Sequence, residues 1–172
     1  ATTGDAVDFG DVASAGTFHG TSASPTRGII AGGNVPSSTN AIQYITFTTT
    51  GDAQEFGDLQ VAKGGARGCS NATRAVHRGD GNSLELITIA TLGNAIDFGD
   101  LGASQGYGGS LTNSIFGLIT INNPSNYYNT IEFITISTTG NAKDFGDADP
   151  LGSGKGHGSF PSCMSDSHGG TT

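Results

Sequence analysis

Asp5-Ala6-Val7-Asp8-Phe9-Gly10-Asp11 is the first of four copies of one heptapeptide, [DN]-A-x-[DE]-F-G-D. The others run from Asp52 to Asp58, Asn94 to Asp100 and Asn141 to Asp147. A glycine precedes each copy, and these glycines (Gly4, Gly51, Gly93, Gly140) are spaced 47, 42 and 47 residues apart. A period in the forties marks a repeat architecture, in which each unit buries its apolar face against the next. The 172 residues read as a single repeat domain, with units at about 1–46, 47–88, 89–135 and 136–172.

Other parts keep a constant order around the heptapeptide. Upstream stands a β-branched run: Ala41 to Thr48, Leu84 to Ile89, and Ile131 to Ile136. Such residues fit a pleated, half-buried surface, so each run predicts a strand. Thr-Thr-Gly or Thr-Leu-Gly then supplies a turn. Downstream lies a Gly/Ser/Ala-rich stretch, within which Ala66-Arg67-Gly68-Cys69-Ser70 reads as a short strand. A second apolar strand follows, at Arg27 to Gly33, Arg74 to Gly79 and Ile115 to Ile119. No window shows helical periodicity longer than about a turn. The fold class is all-β, with three to four short strands per repeat.

Units of this size suit propeller blades better than β-helix coils. Arg27, the Gly32-Gly33 pair, Tyr44 and Phe56 resemble a degenerate kelch blade, with Phe where kelch repeats usually carry Trp. The double glycine becomes Gly79-Asp80, then Asn122-Asn123, and returns as Gly169-Gly170. Thr138-Thr139-Gly140-Asn141-Ala142-Lys143-Asp144-Phe145-Gly146-Asp147 is also similar to the T-T-G-N-A-x-D-F-G-D repeat proteins of tailed bacteriophages. That resemblance covers nearly the whole chain and implies kelch-like β-propeller blades in a virion structural protein. The alternative is an open, stacked β-repeat array completed by a neighbouring chain.

A count of parts sharpens the choice. There are four heptapeptides and four candidates for the Gly-Gly strand, the last being Ser162-Cys163-Met164-Ser165, but only three Ile-rich strands. A closed propeller often borrows a strand from its other terminus, yet neither terminus carries one. The chain is then an excerpt from a longer array, or a neighbouring subunit completes the sheet by strand addition. It does not begin with Met, which points to a processed product or a piece of something longer.

Composition narrows the partners. Net charge is −8, from fifteen acids against seven Lys and Arg, and ten of the acids lie inside the heptapeptides. An acidic, periodic surface repels phosphates, which argues against nucleic acid. No apolar run approaches the ~20 residues that cross a bilayer. The expected partners are copies of the chain or neighbouring structural subunits, in an extracellular or virion setting, with glycans as a further class.

Several residues are candidates for chemistry. Asp5, Asp8 and Asp11, like Asp52, Glu55 and Asp58, stand at i, i+3 and i+6 and could offer oxygen ligands to Ca²⁺. Copies three and four begin with Asn, however, and Asp or Asn beside Gly also caps turns through backbone N–H groups. The turn-and-cap reading is preferred, with no cofactor required. Phe9, Phe56, Phe98 and Phe145 are expected as core plugs between units. Tyr127 and Tyr128, beside Asn126 in the longest polar loop, could stack and hydrogen-bond a sugar, although a plain turn is the simpler reading. Asn71-Ala72-Thr73 fits the N-glycosylation pattern. Cys69 and Cys163 could form a disulfide or stand as two small buried residues. His19, His77, His157 and His168 share no register. No nucleophile elbow or phosphate-cradling loop is present, so an enzyme is not expected.

Overall fold

A computed structural model of the chain describes residues 4–13, 15–79, 81–104, 108–121 and 130–147, with the backbone of 165–166. Strands and no helix occur among the described residues. In the first sheet β1 (Gly20–Ala23) pairs with β2 (Arg27–Ala31). A small hairpin, β3 (Asn34–Val35) and β4 (Ser37–Ser38), interrupts the connection onward. The sheet then continues through β5 (Ala41–Thr46) to β6 (Gln54–Asp58), all antiparallel.

The second sheet repeats that order with β7 (Gly68–Ser70), β8 (Arg74–Arg78), β9 (Ser83–Thr88) and β10 (Ile96–Asp100). The third uses β11 (Ser110–Asn113), β12 (Phe116–Thr120), β13 (Thr130–Thr135) and β14 (Lys143–Asp147). A two-residue strand, β15 (Ser165–Asp166), adds in parallel to the free edge of β11. The Ile-rich runs are the third strands of the sheets, and the stretch around Cys69 is a strand as its residues suggested.

The heptapeptide holds more than the expected turn. Its second half is the fourth strand of each sheet, with the same irregularity every time. Ile42 faces Gly57 while Gln43 faces Glu55, which leaves Phe56 as an extra residue. Phe98 and Phe145 are bulged out in the same way. A bulge bends the strand and re-aims the extra side chain. The glycine that follows has φ near +150° (153° at Gly57, 144° at Gly99, 140° at Gly146), a conformation that side chains disfavour. Each sheet therefore closes on the heptapeptide that opens the following sequence unit. Residues 4–13 lie in no strand.

Alternation within the strands gives every sheet two apolar faces. Ile29, Ala31, Ile42 and Phe56 of the first sheet pack on Ala75, Ile87, Ile89 and Ala95 of the second. Val76, Leu84, Leu86 and Phe98 of the second pack in turn on Ile119, Ile134 and Ile136 of the third. Each fully buried aliphatic or aromatic chain of this kind contributes about 1.5–3 kcal/mol. The core is thus two layers between three sheets.

Candidate functional site

The feature built three times over is the junction between successive heptapeptides. At each, a Phe-Gly-Asp segment receives the Gly-Asx-Ala segment that starts the next heptapeptide. Gly51 N donates to Phe9 O at 2.8 Å, Gly93 N to Phe56 O at 2.9 Å, and Gly140 N to Phe98 O at 2.7 Å. Ala53, Ala95 and Ala142 donate in the same manner to the carbonyls of Asp11, Asp58 and Asp100. The side chain of the first heptapeptide residue completes the set. Asp52 Oδ1 accepts from Asp11 N, Asn94 Oδ1 from Asp58 N, and Asn141 Oδ1 from Asp100 N, at 3.0, 3.0 and 3.1 Å. Asp and Asn carry the same oxygen there, which explains why the motif accepts either. A Cβ on Gly10, Gly57 or Gly99 would collide with the carbonyl of the following Gly51, Gly93 or Gly140. Glycine is required for close approach as well as for φ.

Further contacts recur at the same places. Gln43 Oε1 accepts from Ala13 N, Glu85 Oε2 from Gln60 N, and Glu132 through both oxygens from Gly102 N. Each anchors the backbone just beyond the preceding heptapeptide. Glu85 is buried, and its Oε1 has no partner. Burial, aided by the nearby Asp97 carboxylate, pushes its pKa up against the backbone donors. Arg27 Nη1 donates to the carbonyls of Ile89 and Ala90, and Arg74 Nη1 to that of Ser137, one sheet further on. The Arg27 guanidinium also sits 4.8 Å over the Tyr44 ring, which meets Phe56 edge-on. In the third sheet Phe116 takes the arginine position and meets Phe133 edge-on, as Phe133 in turn meets Phe145.

His77, for which the sequence offered no role, is wholly buried in β8 and held between Ser22 Oγ (2.8 Å from Nε2) and Ala66 O (3.0 Å from Nδ1). Burial holds its imidazole below the usual pKa. A hydroxyl beside an imidazole is also the start of a nucleophilic pair, but here a backbone carbonyl, and no carboxylate, orients the ring. The contact ties β1 to the second sheet. His19 bonds Gly32 O through Nδ1.

The other sequence candidates fall as follows. Asp5, Asp8, Asp11, Asp52 and Glu55 are exposed and Asp58 is half-buried. Asp8 Oδ1 accepts from Gly10 N at 3.1 Å. No three His, Cys, Asp or Glu side chains among the described residues converge as metal ligands. Phe56 and Phe98 are 4% and 2% exposed and sit in the two core layers. Phe9 and Phe145 depart from the expectation, at 36% and 62% exposed. They belong to the first and last heptapeptides, where the stack of described sheets ends. Asn71 sits in the β7–β8 turn, its Oδ1 accepting from Thr73 N, Thr73 Oγ1 and Arg74 N. Cys69 is buried. Asn126, Tyr127, Tyr128 and Cys163, with His157 and His168, lie outside the described residues.

Among the described residues a concavity of about 370 Å³ touches all three sheets, at Ile30 and Phe47, at Cys69 and Ser70, and at Ser110 and Thr112. Its lining is largely apolar and includes no carboxylate or imidazole. The chain matches no protein-family model, and no curated protein is similar to it.

Proposed function

We propose that the chain is a non-enzymatic structural module, made of kelch-like blades, that builds an extracellular or virion assembly such as a tail, fibre or filament component. One observation carries this reading. The sheets meet through a repeated set of main-chain and side-chain contacts, and among the described residues apolar side chains on the outer faces of the first and third sheets are left open. Phe47 of the first sheet is 46% exposed, while its counterparts Ile89 and Ile136 are 1% and 0% exposed. Phe145 shows the same contrast at the other end. Open apolar faces of this kind mark surfaces that a partner covers.

The blade reading draws support from the inner edges. Strand β7 lies beside both β1 and β11, as innermost strands of adjoining blades do. Hydroxyls stitch these strands together: Ser70 Oγ donates to Ala23 O, Ser110 Oγ to Gly68 O and Thr112 Oγ1 to Ser70 O. Mechanism here is mechanical: sheets transmit load through junctions, and neighbours complete the exposed faces. Light scattering with negative-stain imaging of the 172-residue chain tests it. Concentration-dependent filaments, rings or larger assemblies are the expected result, and a monomer at every concentration would sink the reading.

A further inference from the structure

Ser22 and His77 both depart from the repeat in which they sit. By the register of the strand pairs, the place of Ser22 is held by Cys69 in the second sheet and by Leu111 in the third. The place of His77 is held by Ile30 and Ile119 in the other two sheets. The repeat therefore requires neither residue, yet the two occur together and touch. Their bond has a fixed direction. Ala66 O, 3.0 Å from His77 Nδ1, can only accept, so Nδ1 carries the proton. Burial favours the neutral ring, which leaves a lone pair on Nε2, and Ser22 Oγ donates to it at 2.8 Å. Such a distance is that of a nucleophile and its base, ~2.6–3.2 Å. Ser22 is half-buried and lines the concavity of about 370 Å³, whereas His77 is wholly buried. Ser70, Ser110 and Thr112 of the same lining donate to main-chain carbonyls, which cannot take up a proton. Ser22 donates to a nitrogen that can.

We infer that Ser22 is a covalent modification site, where His77 activates the hydroxyl to accept an apolar acyl group from a carboxylic ester. Ser22 Oγ bonds to the ester carbonyl carbon, and the bond from that carbon to the alkoxy oxygen breaks. The serine proton passes to His77 Nε2 and from there to the departing alkoxide, which leaves as an alcohol. Nothing is oxidised or reduced. The acyl class follows from the lining: Ala23, Ile30 and Phe47 are apolar, and no charged side chain contributes among the described residues. Its volume falls in the range of small-molecule sites, ~300–1,000 Å³. The imidazolium formed in transit faces the Ala66 carbonyl rather than a carboxylate, so hydrolysis of the new ester is slow and the acylated serine accumulates. A structural subunit modified in this way needs no turnover, and the inference goes beyond the assembly reading without depending on it.

The p-nitrophenyl esters of acetate, butyrate and octanoate test the site on the full chain. Release of p-nitrophenolate gives the rate, and intact-mass and peptide-mapping mass spectrometry give the place. The expected result is a burst that ends with a single acyl group on Ser22, faster for the longer acyl chains than for acetate. S22A abolishes the burst. H77Q slows it about 100-fold or more, the value of a general base. Thermal melts establish that both variants are folded. The wild-type chain in urea, where Ser22 and His77 are dispersed, is a control that needs no variant: its Ser22 is not acylated. A burst that survives in S22A would overturn the activated serine. So would acylation confined to lysine side chains, equal labelling of Ser22 in urea, or an H77Q rate equal to that of the wild type. None of these outcomes bears on assembly, and a chain that stays monomeric would leave the Ser22 site standing.

Discussion

Phe98 and Phe145 occupy the same place in the same motif, bulged from the fourth strand ahead of a glycine of positive φ. One is 2% exposed and the other 62%. What separates them is the next sheet: Phe98 is pressed against Ile134 and Ile136 of the third sheet, and no described sheet follows Phe145. Burial in this molecule thus belongs to a residue's position in the array rather than to its motif. The motif shapes a surface, and the neighbour turns that surface into core.

The comparison is broken most forcefully by truncating both rings. F98A is expected to cost about 3–5 kcal/mol, the usual value for a buried Phe, while F145A costs under about 1 kcal/mol. Urea unfolding of the two variants checks this, and equal losses would mean that Phe145 is covered in solution. Glycine gives the next contrast. G99A adds backbone strain and a clash with the Gly140 carbonyl, for a loss of about 3 kcal/mol, while G146A meets only the strain, about 1 kcal/mol. Thermal melts ranking G146A below G99A would refute the close-approach argument.

Charge sharpens the contrast inside the middle sheet, where His77 and Glu85 face each other across β8 and β9. His77 has a lowered pKa, so its unfolded form binds a proton first. The stability it contributes is complete above the ordinary imidazole value near 6.5 and is lost as pH falls below it. Glu85 has a raised pKa and works in the opposite sense: its contribution is full at acid pH and is lost as pH rises above the ordinary carboxyl range. E85Q is expected to stabilise the fold at pH 7 by of order 1 kcal/mol, since Gln43 already plays this part in the first sheet. H77Q should flatten the fall in melting temperature between pH 7 and 5. The smallest effect is at the junction cap, where N94A costs about 1 kcal/mol and N94D almost nothing, as measured by chemical unfolding. A large loss in N94D would show that Asp52 and Asn94 are not equivalent.

How much of this was legible in the sequence depends on the range of the interaction. The β-branched runs announced β5, β9 and β13 because strand preference is written within a few adjacent residues. The period announced that like units would stack. The fourth strand was hidden, since Asp-Phe-Gly-Asp reads as a turn until its partner strand and bulge are known. The junction caps were hidden more deeply. Asp52 bonds a residue 41 positions earlier and Asn94 one 36 positions earlier, so no local pattern could reveal them. One trace was visible all the same. The interchange of Asp and Asn at the head of the motif fits a shared oxygen acceptor better than it fits a shared charge. His77 left no trace, because Ile30 and Ile119 hold its place in the other sheets.

The junction bonds described here all join one heptapeptide to the next, and that has a mechanical corollary. A pulling force applied along the array would load the junctions in series, so the chain should yield in discrete steps of one sheet, from whichever end is least covered. An array built this way would lengthen and reseal by whole units, and its toughness would be set by how many junctions it contains rather than by the strength of any one.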